Sequence, residues 1–251
     1  ATRRLNRLDA GDIQGALEDC EKAVALKRNY ENLTDLGAVY TAAERFKDAQ
    51  QALEAAVALR PKEAGAQCRL GECYLAQGQY QQARAVLARA VEVDPKNAAA
   101  FATLARADER LEDYREALKS YTRPGFLDRK SADYRCDAAR VTAALGDPAG
   151  AAISYQEALR VDPECADALL HLSEASRRDG DNEKARGYAE RLAHAHAERW
   201  EGHYLLALAH AAAGDEKAAL DSLREALSRD RRAVVAAADE GAFVKLKSGY
   251  K

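Results

Sequence analysis

Apolar residues in the stretch 64–97 recur at the three- and four-residue spacing of amphipathic helices, in two consecutive segments. The first predicted helix covers residues 64–77. Gly78 ends it, because glycine accepts the left-handed backbone conformation of a helix terminus. The second covers residues 80–93 and stops at Asp94, because the residue before a proline is pushed out of the helical region. The stretch is therefore predicted to form a helix–turn–helix unit.

The same unit recurs along the chain. Alanines equivalent to Ala83 follow one another at an interval of 33 residues once and of 34 residues five times: Ala16, Ala49, Ala83, Ala117, Ala151, Ala185 and Ala219. The positions equivalent to Gly78 hold glycine in four repeats and glutamate in two: Gly11, Gly146, Gly180 and Gly214, then Glu44 and Glu112. A fixed period of this length indicates a stacked repeat protein.

Two repeats also share a motif of leucine, glycine and tyrosine at one spacing: Leu70, Gly71 and Tyr74, and Leu36, Gly37 and Tyr40. Together with the recurring glycines, the alanines and a closing proline, this 34-residue unit resembles the tetratricopeptide repeat family over about residues 11–231. The resemblance implies an all-α fold, namely a right-handed α-solenoid of about seven stacked helix–turn–helix repeats with a C-terminal capping helix.

Stacked repeats share one continuous core, so we expect a single solenoid over residues 1–251 without an internal boundary. The predicted repeats cover residues 1–29 (partial), 30–63, 64–97, 98–131, 132–165, 166–199 and 200–233. The cap is predicted at residues 234–251, where four apolar residues are expected to cover the last exposed face: Val234, Val235, Phe243 and Leu246.

Repeat four departs from the pattern. Pro124 stands where the other repeats continue their second helix, and proline in a helix interior costs about 3 kcal/mol. The second helix of this repeat is therefore predicted to end or kink near Thr122. The altered corner is expected either to be a tolerated short helix or to change shape so that it widens the groove or presents Phe126 to a partner.

Composition narrows the class of protein. The net charge is −3, from 38 basic and 41 acidic residues, which disfavours general nucleic-acid binding. No apolar run is long enough to span a membrane, and no signal peptide is visible. The chain contains no methionine, which indicates a processed protein or an excised fragment, and its richness in alanine and arginine is typical of a bacterium with GC-rich DNA.

The five cysteines are odd in number and form no Cys-x-x-Cys pair: Cys20, Cys68, Cys73, Cys136 and Cys165. We interpret them as free thiols in a reducing compartment, without a reactive role. This favours a cytoplasmic location over the alternative of a periplasmic or outer-membrane-associated one.

No catalytic motif is present, so the protein is predicted not to be an enzyme and to carry no cofactor. Four histidines lie within 17 positions: His194, His196, His203 and His210. The last two occupy the slots of Gln67 and Tyr74, which face the packing between helices. A metal site is therefore not expected.

The resemblance also implies a binding surface, because in this family the first helix of each repeat lines a concave groove. The groove positions hold five arginines in repeats four to six: Arg106, Arg110, Arg140, Arg177 and Arg178. Nearby groove positions hold three apolar anchors: Leu170, Tyr204 and Leu208. The alternative is that these arginines are ordinary solvated charges paired with Glu109, Asp133 and Glu174. The lysine and asparagine with which chaperone-binding relatives hold a carboxylate are absent, so a role as a heat-shock adaptor is not expected.

The leading hypothesis is a non-enzymatic scaffold or adaptor that binds a partner protein segment of acidic character in this groove. One alternative is docking of a folded partner, such as a small GTPase or an assembly subunit, through an edge or convex face at Pro124 and Phe126. The other is a pilus or outer-membrane assembly factor, a role taken by similar bacterial repeat arrays.

Overall fold

The computed structural model of the protein describes residues 3–127 and 131–239, which form fifteen α-helices and no strand. In chain order the helices are α1 Arg3–Asp9, α2 Ile13–Leu26, α3 Tyr30–Ala42, α4 Phe46–Leu59, α5 Ala64–Ala76, α6 Tyr80–Val93, α7 Ala98–Arg110, α8 Tyr114–Leu127, α9 Ala132–Ala144, α10 Pro148–Val161, α11 Ala166–Arg178, α12 Asn182–Ala195, α13 Trp200–Ala212, α14 Glu216–Arg229 and α15 Arg232–Asp239. The predicted all-α class is confirmed.

The helices alternate regularly between two lengths. From α2 to α14, every first helix of a repeat has 13 residues and every second helix has 14. In repeat three, α5 and α6 match the predicted bounds to within one residue. The helix–turn–helix repeats predicted from the 34-residue period are therefore confirmed.

The chain divides into two compact units, residues 1–129 and residues 130–251. The first contains α1 to α8 and the second contains α9 to α15. Within each unit, a helix packs chiefly against its neighbours in the chain. A single solenoid continuous over residues 1–251 stays a prediction.

Close packing inside a repeat depends on one small residue facing one large one. A Cβ atom added to Gly71 of α5 would lie 2.4 Å from Cγ of Leu87 in α6. Gly37 and Leu53 repeat this arrangement at 2.3 Å. Because Leu53 and Leu87 are completely buried, neither can move aside. These glycines therefore set the approach of the paired helices.

The turn between the two helices of each repeat contains a residue with positive φ. Five of these residues are glycines, with φ between 73° and 87°, while Glu44 and Glu112 adopt φ values of 56° and 60°. The match between Gly78 and its six equivalent positions, predicted from the sequence, is confirmed. The two glutamates pay a steric penalty that glycine avoids.

Replacing Glu112 with glycine is expected to raise the free energy of unfolding by about 0.5–1 kcal/mol, because the left-handed conformation is strained for a residue with a Cβ atom. Urea unfolding followed by circular dichroism measures this change. The reverse substitution, Gly146→Ala, is the control: nothing lies within 4 Å of its Cβ position, so its loss of stability reports the φ penalty alone. An unchanged urea midpoint for Glu112→Gly would contradict the prediction.

The second helix of repeat four does not end near Thr122, so this half of the prediction is wrong, whereas a kink there stays a prediction. Helix α8 continues through Pro124 to Leu127 and has the same 14 residues as its counterparts. Proline has a φ compatible with a helix, but it lacks an N–H donor and its ring crowds the preceding turn. The buried side chains of Ala117 and Tyr121, at 0% and 1% exposure, hold the helix in place against this cost. The side chains of Pro124 and Phe126 lie outside the described part of the structure.

The C-terminal helix packs differently from the prediction. Ala233 of α15 is completely buried, and the Tyr204 hydroxyl of α13 donates to the carbonyl oxygen of Ala236 at 2.9 Å. Val234 and Val235, which were expected to cover the last apolar face, are 54% and 66% exposed. The alanine side of α15 packs inward instead, since alanines permit closer approach. Residues 240–251, with Phe243 and Leu246, lie outside the described residues.

One carboxylate is buried in the first unit. Asp108 of α7 is 2% exposed and occupies the slot that Tyr40 and Tyr74 fill in the two preceding repeats. Its Oδ1 lies 2.7 Å from Nε of Arg84, and Nη2 of the same arginine lies 2.5 Å from Asp113. Burial raises the pKa of Asp108 to about 6, although Arg84 opposes the shift.

Candidate functional site

A cleft of about 320 Å³ lies in the second unit between the C-terminal halves of α9 and α11, and the N-terminal half of α10 closes its back. We call it the Arg140–Arg178 pocket. It is lined by Arg140, Ala143, Pro148, Ala151, Ala152, Tyr155, His171, Ala175 and Arg178. Two of the arginines predicted as groove residues therefore line the same pocket.

Two aromatic rings form the floor of the Arg140–Arg178 pocket. Tyr155 and His171 stack with their centroids 4.9 Å apart and their planes at 24°. Tyr155 is only 5% exposed, because it occupies the packing slot of Leu53 and Leu87, and burial raises the pKa of its hydroxyl. The floor therefore consists of a buried tyrosine ring stacked on a partly exposed imidazole.

Arginines from two different helices supply the charge of the pocket. Arg140 is exposed and donates from Nη2 to Asp137 at 2.9 Å, in a pair whose side chains are 47% and 34% exposed. Arg178 is exposed, and its Nε lies 3.4 Å from the backbone carbonyl oxygen of Glu174. Solvated pairs of this kind contribute at most about 1 kcal/mol, so a ligand carboxylate can displace Asp137 at low cost.

A carboxylate also lies beside the pocket. Nδ1 of His171 lies 3.6 Å from Oε2 of Glu174. His171, and after it Arg178 and Arg177, hold the pKa of Glu174 below its ordinary value, with burial opposing them. Glu174 is therefore ionised at neutral pH and balances part of the positive charge. The pairing of Glu174 with the arginines, expected as an alternative, stays a prediction.

The other predicted residues of the second unit lie away from this pocket. Leu208 is 3% exposed within the core formed by α11 to α13, so it is not available as a surface anchor, and this part of the prediction is wrong. Leu170 and Tyr204 are half-buried against the same core. Arg177 is also half-buried.

Two predicted arginines belong to the first unit. Arg106 is exposed and donates to the Thr103 hydroxyl at 3.2 Å. The guanidinium of Arg110 lies over the ring of Tyr80, 4.6 Å from its centroid, and also donates to the tyrosine hydroxyl. Arg110 is therefore partly engaged by a cation–π contact, whereas Arg106 points its charge to solvent.

The stacked floor is the feature that sequence reasoning missed. Tyr155 is buried, and its position in the lining of a cleft was not predicted from the sequence. One signal for a different packing around Tyr155 was available in the sequence. Ala139 stands in repeat five at the position that Gly71 occupies in repeat three. His171 follows the groove position of Leu170 by one residue and gave no signal of its own.

The histidine-rich segment is engaged with the backbone. Nε2 of His196 lies 2.6 Å from the carbonyl oxygen of Glu164, and Nε2 of His203 lies 3.2 Å from that of Ala197. In residues 3–127 and 131–239, no group of three or more histidine, cysteine, aspartate or glutamate side chains is placed to hold a metal ion. No helix in the same ranges has the length and hydrophobicity needed to cross a bilayer.

Comparison with known families decides the class of this repeat. Two family models match the chain, and each is described as a tetratricopeptide repeat. One matches residues 40–107 and 74–135, and the other matches residues 136–197 and 175–234. The chain belongs to the tetratricopeptide repeat family. Tetratricopeptide repeats are typically non-catalytic scaffolds for interactions between proteins, and this is the general role that the matches support.

Solved tetratricopeptide repeat structures share the fold. PilF of Pseudomonas aeruginosa is 15% identical, with a TM-score of 0.72 over 88% of this chain and 97% of PilF. The C-terminal part of a repeat protein from Cytophaga hutchinsonii is 16% identical, with a TM-score of 0.69 over 99% of this chain and 98% of that one.

YrrB, described as a tetratricopeptide repeat protein with an unusual peptide-binding site, is 16% identical, with a TM-score of 0.59 over 79% of this chain and 99% of YrrB. At such low identities these likenesses show the fold alone. No curated protein matches the chain by sequence.

Proposed function

We propose that the protein binds an acidic segment of a partner protein at the Arg140–Arg178 pocket. The observation that carries the proposal is the presence of two exposed guanidinium groups, from different helices, at one cleft with a stacked aromatic floor. Arginine presents a planar fork of donors that matches a carboxylate, and it is enriched among the residues that dominate binding energy.

The pocket suits a peptide with both charge and an apolar side chain. Carboxylates of the segment replace Asp137 at Arg140 and bind Arg178, while an apolar side chain covers the Tyr155–His171 stack. Glu174 repels a second carboxylate close to His171, so it favours acidic residues that are spaced apart. The peptide-binding site attributed to the structurally similar YrrB supports a peptide as the ligand class.

The remaining predicted contacts belong to this proposal as secondary sites. In the second unit these are Arg177, Leu170 and Tyr204. Arg106 and Arg110 are candidates in the first unit, of which Arg106 is the more accessible. A role in the cytoplasm is part of the proposal, as is the absence of catalysis.

Charge reversal tests the proposal. Arg140→Glu and Arg178→Glu are each expected to weaken binding of a fluorescein-labelled peptide of alternating glutamate and leucine by about tenfold or more. Fluorescence anisotropy measures the dissociation constants. Raising the ionic strength is expected to weaken wild-type binding as well, because exposed charges are screened.

Arg224→Glu is the matched control. Arg224 is exposed and pairs with Asp221 at 3.1 Å, at the same three-residue helical spacing as Arg140 and Asp137, but on α14 outside the pocket. It is expected to bind the peptide like the wild type. The proposal fails if the wild type does not prefer this peptide to one of lysine and leucine, or if all three variants lose affinity equally.

A further inference from the structure

Two cysteine thiols meet inside the second unit. Sγ of Cys136 in α9 lies 3.3 Å from Sγ of Cys165, the residue that immediately precedes α11. Their side chains belong to one core cluster with Tyr155, and the residues are 5% and 7% exposed. Both thiols are free. The sulfurs must approach by only about 1 Å to reach the length of a disulfide bond.

Repeat three shows what this position looks like without a second thiol. Cys68 is the equivalent of Cys136, and Asn97 is the equivalent of Cys165. Nδ2 of Asn97 lies 3.9 Å from Sγ of Cys68, and Oδ1 of Asn97 accepts a hydrogen bond from the N–H of Ala100 to cap α7. Repeat five thus has a cysteine where the ordinary capping residue stands, facing another cysteine.

The two thiols are chemically unequal. A hydrogen bond from Cys136 lowers the pKa of Cys165, and the backbone N–H of Ala168 in the first turn of α11 lowers it further, although burial opposes both. The pKa of Cys136 is raised, by its bond to Cys165 and by burial. By contrast, burial raises the pKa of Cys68 to about 11. Cys165 is therefore the thiol that supplies a thiolate.

We propose that Cys136 and Cys165 form an oxidation site that hydrogen peroxide closes into a disulfide tying the start of α11 to α9. This role is independent of partner binding. It also goes beyond the interpretation of all five cysteines as unreactive thiols.

The reaction balances in two steps. The Cys165 thiolate attacks one peroxide oxygen, so that an S–O bond forms, the O–O bond breaks, and hydroxide leaves and takes up the thiol proton as water. The Cys136 sulfur then attacks the Cys165 sulfur, the S–O bond breaks, and the hydroxyl leaves with the Cys136 proton as a second water. Two thiols are oxidised by two electrons in total, and the peroxide is reduced to water.

The experiment uses the full chain, reduced, desalted and treated with a small excess of hydrogen peroxide. We expect the intact mass to fall by two hydrogen atoms, and peptide mapping under denaturing, alkylating conditions to link Cys136 to Cys165. The melting temperature is expected to rise by roughly 5 °C and to return after reduction with dithiothreitol. Alkylation of both cysteines after treatment, a link to Cys68, or unlinked sulfinic acid at Cys165 would each overturn the proposal.

Two substitutions test whether facing thiols alone make the site: one removes the thiol pair from repeat five, and the other creates such a pair in repeat three. Cys165→Asn recreates the arrangement of repeat three, whose Asn97 shows that asparagine is compatible with the fold there. It should abolish both the link and the peroxide-dependent rise in melting temperature. Asn97→Cys should create a second link, to Cys68. A peroxide-dependent rise in melting temperature that persists in Cys165→Asn, or no new link in Asn97→Cys, would show that the facing thiols are not what makes the site.

Discussion

Replacing Gly71 with alanine is expected to lower the free energy of unfolding by about 2 kcal/mol. The added methyl group would lie 2.4, 2.6 and 2.8 Å from Cγ and the two Cδ atoms of Leu87. That leucine is completely buried, so α5 and α6 must separate. The expected value already includes the gain of about 1 kcal/mol that alanine normally brings to a helix interior.

Two controls isolate the steric cause. Gly187 lies inside α12 with nothing within 4 Å of its Cβ position, so Gly187→Ala is expected to stabilise the protein by about 0.5–1 kcal/mol. In a Leu87→Ala background, Gly71→Ala should cost little or nothing, because the space is then empty. Urea unfolding measures all four proteins. A loss in the Leu87→Ala background equal to that in the wild type would contradict the packing argument.

Arg84→Gln is expected to lower the free energy of unfolding by about 2–3 kcal/mol at pH 8, because it leaves the buried Asp108 carboxylate without its cation. The value is set below that of a fully buried pair, since the Arg84 side chain is 38% exposed. Urea unfolding at several pH values measures the loss.

The pH dependence has a definite sign. Folding raises the pKa of Asp108 from 3.8 to about 6. Between these two pH values the folded protein binds a proton at Asp108 that the unfolded chain does not. The contribution of Asp108 to stability therefore falls as the pH rises from about 4 to 6. Removing Arg84 raises the pKa of Asp108 further. The loss in free energy of unfolding caused by Arg84→Gln is therefore expected to be small near pH 4 and to grow toward pH 8. Adding Asp108→Asn should abolish that growth, and an equal deficit at both pH values would contradict the mechanism.

The helices and turns could be predicted from the sequence because the signals that define them are local and repeated. Gly78 and its equivalents mark a left-handed turn residue that is needed in every repeat, and the periodic alanines mark the buried faces. Where the sequence of one repeat did not mark its turn position, the 34-residue period of the other repeats assigned it. Glu44 and Glu112 were assigned to the turn by register alone, against their own preference.

The errors arose where tertiary packing outweighed a local rule. Pro124 was expected to end or kink α8, but the helix, held by Ala117 and Tyr121, does not end there. Val234 and Val235 were expected, together with Phe243 and Leu246, to cover the last apolar face. The structure buries Ala233 instead, because closeness of approach decides that contact.

The candidate site was only half predictable. Groove positions implied by the family pointed to Arg140 and Arg178, and these do line one cleft. The same rule selected Leu208, which is buried in the core. The Tyr155–His171 stack and the contact between Cys136 and Cys165 depend on which side chains meet across separate helices, and a single sequence does not encode such pairs locally.

The single 33-residue interval among the periodic alanines shows which connection between helices differs in length from one repeat to the next. The step from repeat one to repeat two is one residue shorter than the others, yet α2 and α4 both have 14 residues. The missing residue falls in the connection after the second helix, which spans residues 27–29 there and residues 60–63 in the next repeat. The turns inside the repeats always have three residues and a positive φ. Within this chain, the connection between repeats is therefore the part that varies in length, while the turn within each repeat keeps three residues.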